Sequence, residues 1–172
     1  LELVYIASLL RSEHEIRLLD ANALGLSLKN TIVEIKNFNP DILILTSTPV
    51  DRWEVPSHEH IKLLIKNIIQ TINSVEIPYI ILTGAHGTVM PEYILKKAKV
   101  SFVVRGEPEI TVKNLVNEIA NTKNYKNISG ISYLENEQII NNPNAERIKN
   151  LDELPLPAYD LLPMEKYSYT FF

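Results

Sequence analysis

Apolar residues in this chain fall into short continuous runs alternating with longer stretches of helical spacing. Ile42–Leu45, Tyr79–Leu82 and Phe102–Val104 are dense and rich in β-branched side chains, as strands buried on both faces require. Between the first two, Ile61, Leu64, Ile65, Ile68, Ile69 and Ile72 form one stripe and predict a helix from His58 to Ile72. Leu3, Ile6, Leu9 and Leu10 predict a helix at the start. Ser27 is placed to cap a helix that carries Leu28, Ile32 and Ile35 on one face. Further helices are predicted over Tyr93–Ala98 and through Val112, Leu115, Val116 and Ile119. Glu15–Asp20 predicts one more short strand.

Strands alternating with helices imply an α/β fold with a doubly wound parallel sheet, Rossmann-like or flavodoxin-like, with right-handed crossovers. Four parallel strands are expected, near 15–20, 42–46, 79–83 and 102–105. After about Asn121 the alternation stops. Gly130–Tyr133 and Gln138–Asn141 flank Glu135-Asn136-Glu137 and predict a small hairpin. Asp152–Pro163 is proline-rich and extended, a linker or clamp. The division expected is an α/β domain over 1–125, a hairpin extension over 126–150 and a linker over 151–172. A doubly wound domain opens on a strand, whereas this chain opens on a helix; in the order 2-1-3-4-5 a strand preceding it would be central.

Candidate chemistry concentrates where the strands end. Tyr79–Leu82 runs into Thr83-Gly84-Ala85-His86-Gly87-Thr88 and then Pro91-Glu92, the sequence of strand, small-residue loop and helix start. Ligands of open α/β sheets bind beyond such carboxyl ends. The neighbouring ends carry Thr46-Ser47-Thr48-Pro49 and Arg105-Gly106-Glu107-Pro108-Glu109. An ordinary βα connection explains the central loop equally well, and carboxylates at a helix N-terminus explain Glu107 and Glu109 equally well. Because the rim is small or hydroxylic, Gly84→Leu is expected to block a ligand there and spare the fold. Trp53, in the loop Val50–Pro56, is a candidate ligand or interdomain contact.

Composition narrows the classes. The 172 residues, with 45% hydrophobic and 22% charged, suit one globular domain with an appendage. A net charge of −4 carries no footprint for nucleic acid or an anionic membrane, and no apolar run approaches a membrane span, so a cytoplasmic location is expected. Cysteine is absent, which removes disulfides, thiolate nucleophiles and cysteine-held clusters from this chain. His58 and His60 stand two apart, and on a helix they point to different sides, so no shared metal site is expected. No catalytic or metal-ligating residue is assigned. The G-x-G-x-x-G and Walker A patterns are missing, as is an acidic pair at a first strand end.

Three stretches taken together resemble the amino-terminal cobalamin-binding domain of the cobalamin-dependent radical SAM enzymes. They are Thr83–Thr88 with Pro91-Glu92, Phe102–Glu109, and Leu154-Pro155-Leu156-Pro157-Ala158-Tyr159-Asp160-Leu161-Leu162. The family shows a GG-x-H-x-T…PE pattern, then VV-x-GE-x-E, then LP-x-PA-x-D. Here Thr83-Gly84 stands for the Gly-Gly. The resemblance implies cobalamin as the ligand and a cofactor-binding set of Thr46, Ser47, Thr48, Thr83, Gly84, Ala85, His86, Gly106 and Glu107. It implies methyl transfer or related radical chemistry in the whole enzyme. It also implies a first strand before Leu1 and a radical SAM barrel after Phe172, where S-adenosylmethionine and a [4Fe–4S] cluster would bind. His86 is the one candidate cobalt ligand with a family counterpart, and the reading preferred for it is a loop histidine bonding backbone or a propionamide. The partners expected are cobalamin and the barrel, with no nucleic acid and no membrane. The alternative is a non-catalytic flavodoxin-like domain that binds a nucleotide or flavin, or serves as a scaffold.

Overall fold

The computed structural model describes residues 2–48 and 58–167, with backbone only for residues 58–61. The expectations for Trp53 and its loop and for the side chains of His58 and His60 lie outside the described residues, as does the end of the expected linker beyond Tyr167. The helices are α1 (Glu2–Leu10), α2 (Leu28–Phe38), α3 (His58–Asn73), α4 (Ala85–Val89), α5 (Pro91–Lys97) and α6 (Pro108–Ala120). The strands are β1 (Ile42–Thr46), β2 (Tyr79–Thr83), β3 (Phe102–Val104), β4 (Ile131–Glu135) and β5 (Gln138–Asn141). No described helix is long and apolar enough to cross a membrane.

The five strands form one sheet in the order β1-β2-β3-β4-β5. The first three are parallel, with Thr46 opposite Thr83 and Leu82 opposite Val103. Alternation along β2 sends Ile80 and Leu82 to one face and Ile81 to the other. On the first face they meet Ile65, Ile68 and Ile72 of α3 and Ile94 and Leu95 of α5. On the second face, Ile81, Phe102 and Val104 meet Ile6 and Leu10 of α1 and Val112, Leu115, Val116 and Ile119 of α6. Helices therefore cover both faces, the doubly wound arrangement expected. Ile72, Ile81, Leu82, Ile94 and Leu115 are fully buried, each contributing about 1.5–3 kcal/mol by leaving water.

Local signals explain several boundaries. The Ser27 side chain accepts the Asn30 N–H at 3.2 Å and starts α2. Asn39 ends it in the left-handed conformation, φ 49°, its N–H returning to the Ile35 carbonyl. Pro91 and Pro108 each stand in the first turn of a helix, where no N–H is needed.

Two expectations need correction. Glu15–Asp20 forms no strand, so among the described residues three parallel strands form, not four. Ile16 and Leu19 lie against opposite clusters, which satisfies the local pattern. A strand also needs a partner backbone about 4.8 Å away, and pattern does not specify that. Ile42–Thr46 is accordingly the edge of the sheet, and all five of its residues keep some exposure. Second, the small-residue loop after β2 is not irregular: Ala85–Val89 is a short helix.

The predicted hairpin continues the same sheet. β4 pairs antiparallel to β3 and β5 to β4, and Asn136 and Glu137 turn with φ 51° and 64°, the two left-handed residues of a type I′ turn. The proline-rich segment clamps α1. The Ala158 N–H donates to the Val4 carbonyl at 3.1 Å and the Ser8 hydroxyl to the Leu156 carbonyl at 2.6 Å. Arg11 forks onto Asp160 at 2.9 and 2.7 Å. Tyr167 donates to Asp20 at 2.5 Å; burial first, and that carboxylate second, push its phenol up to about 12.

Candidate functional site

The carboxyl ends of β1, β2 and β3 lie side by side and make one rim. Its residues divide into a buried layer and an open one. Ser47 and Thr83 are fully buried. The Ser47 hydroxyl donates to the Thr83 carbonyl at 2.8 Å and accepts the Gly87 N–H at 3.2 Å. Thr83 donates its hydroxyl to Glu2 at 2.7 Å, with the Leu45 carbonyl a second acceptor at 3.2 Å. These two side chains bind the loops to each other and present nothing outward.

Gly84 belongs to the same layer. It has φ 94°, and a Cβ there would lie 2.6 Å from the Thr48 nitrogen, 2.7 Å from the Thr48 hydroxyl and 2.8 Å from the Ser47 nitrogen. The space that a glycine leaves is filled by the chain's own backbone. The expectation that Gly84→Leu spares the fold is therefore wrong: any side chain there collides with main chain in a conformation that already disfavours one.

Glu2 ties the hydroxyls together. One carboxylate oxygen accepts from Thr46 and Thr83, and the other from Thr48 at 3.3 Å. A hydroxyl has one proton, so Thr46 and Thr48 keep only lone pairs for other partners. Thr46 spends one of these on the Thr48 N–H at 3.1 Å.

The open layer consists of Ala85, His86, Gly106 and Glu107, with Thr46 and Thr48 half-exposed. His86 Nδ1 lies 2.8 Å from the Ser47 carbonyl. A carbonyl only accepts, so Nδ1 holds the proton and Nε2 is the acceptor in the neutral ring. The backbone bond expected of this histidine is thus present. Gly106 has φ 80° and nothing within 4 Å of a hypothetical Cβ. Its N–H donates to the Thr88 hydroxyl at 3.0 Å. Glu107 stands at the N-cap of α6 but does not cap it; its carboxylate accepts the Ile148 N–H at 2.7 Å. Glu109 is held above the ordinary carboxylate range, first by burial and then by Glu2 and Glu107.

Beside Gly106 the segment after β5 returns and borders an open cavity of about 460 Å³. Arg105 fastens that segment. It donates to the Asn144 side-chain oxygen at 2.8 Å, to the Ile131 carbonyl at 3.3 Å and to the Asn142 carbonyl. Burial lowers its pKa. Among the described residues no group of three or more His, Asp or Glu side chains is arranged to hold a metal ion.

Sequence reasoning assigned no role to Glu2, Thr88, Arg105 or Asn144. Glu2 is an acidic residue in a first helical turn, a common feature with no sign of its distant threonine partners. Arg105 and Asn144 are 39 positions apart and meet only because β4 pairs with β3.

The sequence profile of the B12 binding domain matches residues 1–116. An uncharacterized methyltransferase of Pyrococcus horikoshii, PH0819, is 36% identical over 169 residues, covering 98% of this chain and 35% of its own. The chain thus spans about a third of that relative's length. The anaerobic magnesium-protoporphyrin IX monomethyl ester cyclase of Synechocystis is 34% identical over 89 residues, or 49% of this chain and 18% of the cyclase. Two solved structures share the fold. The cobalamin-dependent S-adenosylmethionine radical enzyme OxsB with aqua-cobalamin bound has a TM-score of 0.68 at 20% identity, over 94% of this chain and 22% of OxsB. The radical S-adenosylmethionine methyltransferase TsrM from Kitasatospora setae, with cobalamin and a [4Fe–4S] cluster bound, has a TM-score of 0.68 at 18% identity, over 91% of this chain and 28% of TsrM.

Proposed function

Because this chain belongs to the B12 binding domain family, we propose that it holds cobalamin for a longer radical SAM enzyme, one that transfers a methyl group or does related radical chemistry. The observation that carries the reading is the rim itself. Three adjacent parallel strand ends, all within the matched residues 1–116, meet at hydroxyl and imidazole acceptors and an unfilled glycine turn. Names of relatives support the methyl-transfer part: PH0819 is called a methyltransferase, and TsrM is a radical S-adenosylmethionine methyltransferase.

The residues fit a large, amide-rich ligand. Thr46 and Thr48 donate their protons to Glu2 and offer oxygen lone pairs to amide N–H groups. His86 offers Nε2 in the same sense. Gly106 and Glu107 border open space. Ser47, Thr83 and Gly84 shape the rim from beneath, so direct contact with the nucleotide tail and corrin edge falls to Thr46, Thr48, Ala85, His86, Gly106 and Glu107. Bound cobalamin would supply a cobalt centre able to carry a methyl group. With no cysteine in this chain, the thiolate ligands of a [4Fe–4S] cluster would come from outside it.

The test is to mix the chain with aquacobalamin and pass it through gel filtration. The protein peak is expected to retain the corrinoid absorption bands at close to one equivalent. Elution free of colour would overturn the reading.

A further inference from the structure

The cavity beside Gly106 is built from two parts of the chain. One wall is the strand-end turn, with Gly106, Glu107 and Thr88; the other is Asn144, Ala145 and Arg147, from the segment that follows β5. The B12 binding domain profile ends at residue 116, so the second wall stands outside the matched region.

Two polar groups on these walls have their orientation fixed by the protein. Asn144 turns an oxygen to Arg105, because a guanidinium has only donors. Among the described residues its amide nitrogen donates to no partner and remains a donor. Glu107 gives one carboxylate oxygen to the Ile148 N–H. Among the described residues its other oxygen takes no hydrogen bond and remains an acceptor. The lining residues carry two carboxylates, Glu107 and Glu146, and two guanidiniums, Arg105 and Arg147, equal in formal charge.

One committed donor, one committed acceptor and charge balance match a primary carboxamide, which has a carbonyl oxygen and an NH2 group. The corrin ring bears such groups on acetamide and propionamide arms. We infer that this cavity receives one peripheral carboxamide arm of the corrinoid, its oxygen accepting from Asn144 and its NH2 donating to Glu107. The inference rests on the cobalamin reading above. It assigns to the returning segment a share in ligand selection that the strand-end rim does not provide.

The test uses the whole chain with aquacobalamin and with monocarboxylic acid derivatives of it, each having one propionamide hydrolysed. The parent is expected to bind one derivative about tenfold more weakly than aquacobalamin, since Glu107 would face a carboxylate. Glu107→Gln keeps the acceptor for Ile148 and is expected to recover most of that loss for the same derivative. Asn144→Asp keeps the acceptor for Arg105 and is expected to weaken aquacobalamin binding about tenfold. Thermal unfolding of each variant, with a midpoint close to the parent's, establishes that the fold is kept. If the parent binds every derivative like aquacobalamin, or if neither variant changes any affinity, the inference is overturned and the cobalamin reading stands. If the parent fails to bind aquacobalamin at all, both fall.

Discussion

Gly84 and Gly106 look alike in the sequence. Each follows a parallel strand, each precedes a helix, and each has positive φ, 94° and 80°. Their surroundings are opposite. The place of a Cβ at Gly84 is taken by the backbone of Ser47 and Thr48, whereas at Gly106 it is open. A glycine at a strand end thus answers two different needs, close approach of the chain to itself and access for a ligand. Around Gly84 the polar groups are paired with one another; around Gly106 they line a cavity.

The contrast is broken most directly by alanine at both positions. Gly84→Ala combines a disfavoured φ with a collision at 2.6 Å and is expected to cost about 2–5 kcal/mol. Gly106→Ala adds only the strained φ, with a cost of about 1 kcal/mol. Urea unfolding of the two variants gives the ranking. Equal losses would mean that the packing around Gly84 relaxes freely and that the two turns are alike.

A smaller effect tests what holds the closed side. Glu2→Ala removes the acceptor shared by Thr46, Thr48 and Thr83 and is expected to cost about 1–3 kcal/mol. Thr83 retains the Leu45 carbonyl as an alternative acceptor, so the lower part of that range is expected. An unchanged denaturation midpoint would show that the carboxylate organises nothing.

Next in size is a dependence on pH. Glu109 is raised above its ordinary range, by burial first and by its acidic neighbours after that. The folded chain then holds this proton more tightly than the unfolded chain does. Its stabilising contribution is complete below the unfolded pKa and declines as pH rises through the folded one. Glu109→Gln is expected to flatten the fall in stability above about pH 4 and to leave the variant more stable at neutral pH. A parent profile no steeper than the variant's would contradict the assigned cause.

The smallest effect lies at the hairpin that carries the cavity's second wall. Glu137 occupies a left-handed position of a type I′ turn, with φ 64°. Glu137→Gly is expected to stabilise the chain by about 0.5–1 kcal/mol, read from the melting midpoint. Destabilisation would mean that the Glu137 side chain makes a compensating contact.

How much of this was legible in the sequence depended on whether the cause was local. The β-branched run Tyr79–Leu82, the stripe from Leu64 to Ile72, the Ser27 cap and the hairpin turn all read correctly, because each is specified by neighbours within a few residues. The helix Ala85–Val89 was hidden. Gly87 lowers its propensity, and what supports it comes from outside: His86 bonds the Ser47 carbonyl and Gly87 donates to the Ser47 hydroxyl. A Cβ at Gly87 would stand 3.1 Å from Val103, so packing, not helix formation, selects glycine there. Residue size marked the whole rim as a candidate site, but it did not separate residues that admit a ligand from residues that admit the chain itself. That distinction depends on the Ser47–Thr48 backbone and on Glu2, which is 81 positions from Thr83.

Equilibrium binding of aquacobalamin to Gly106→Asn tests most directly the claim that the open side of the rim is the ligand face. Asparagine tolerates the left-handed conformation, so the unfolding midpoint should stay close to the parent's, while a side chain now enters the open space. The account predicts a loss of affinity of about tenfold or more with the fold intact. Binding as tight as the parent's, in a variant of parental stability, would contradict it.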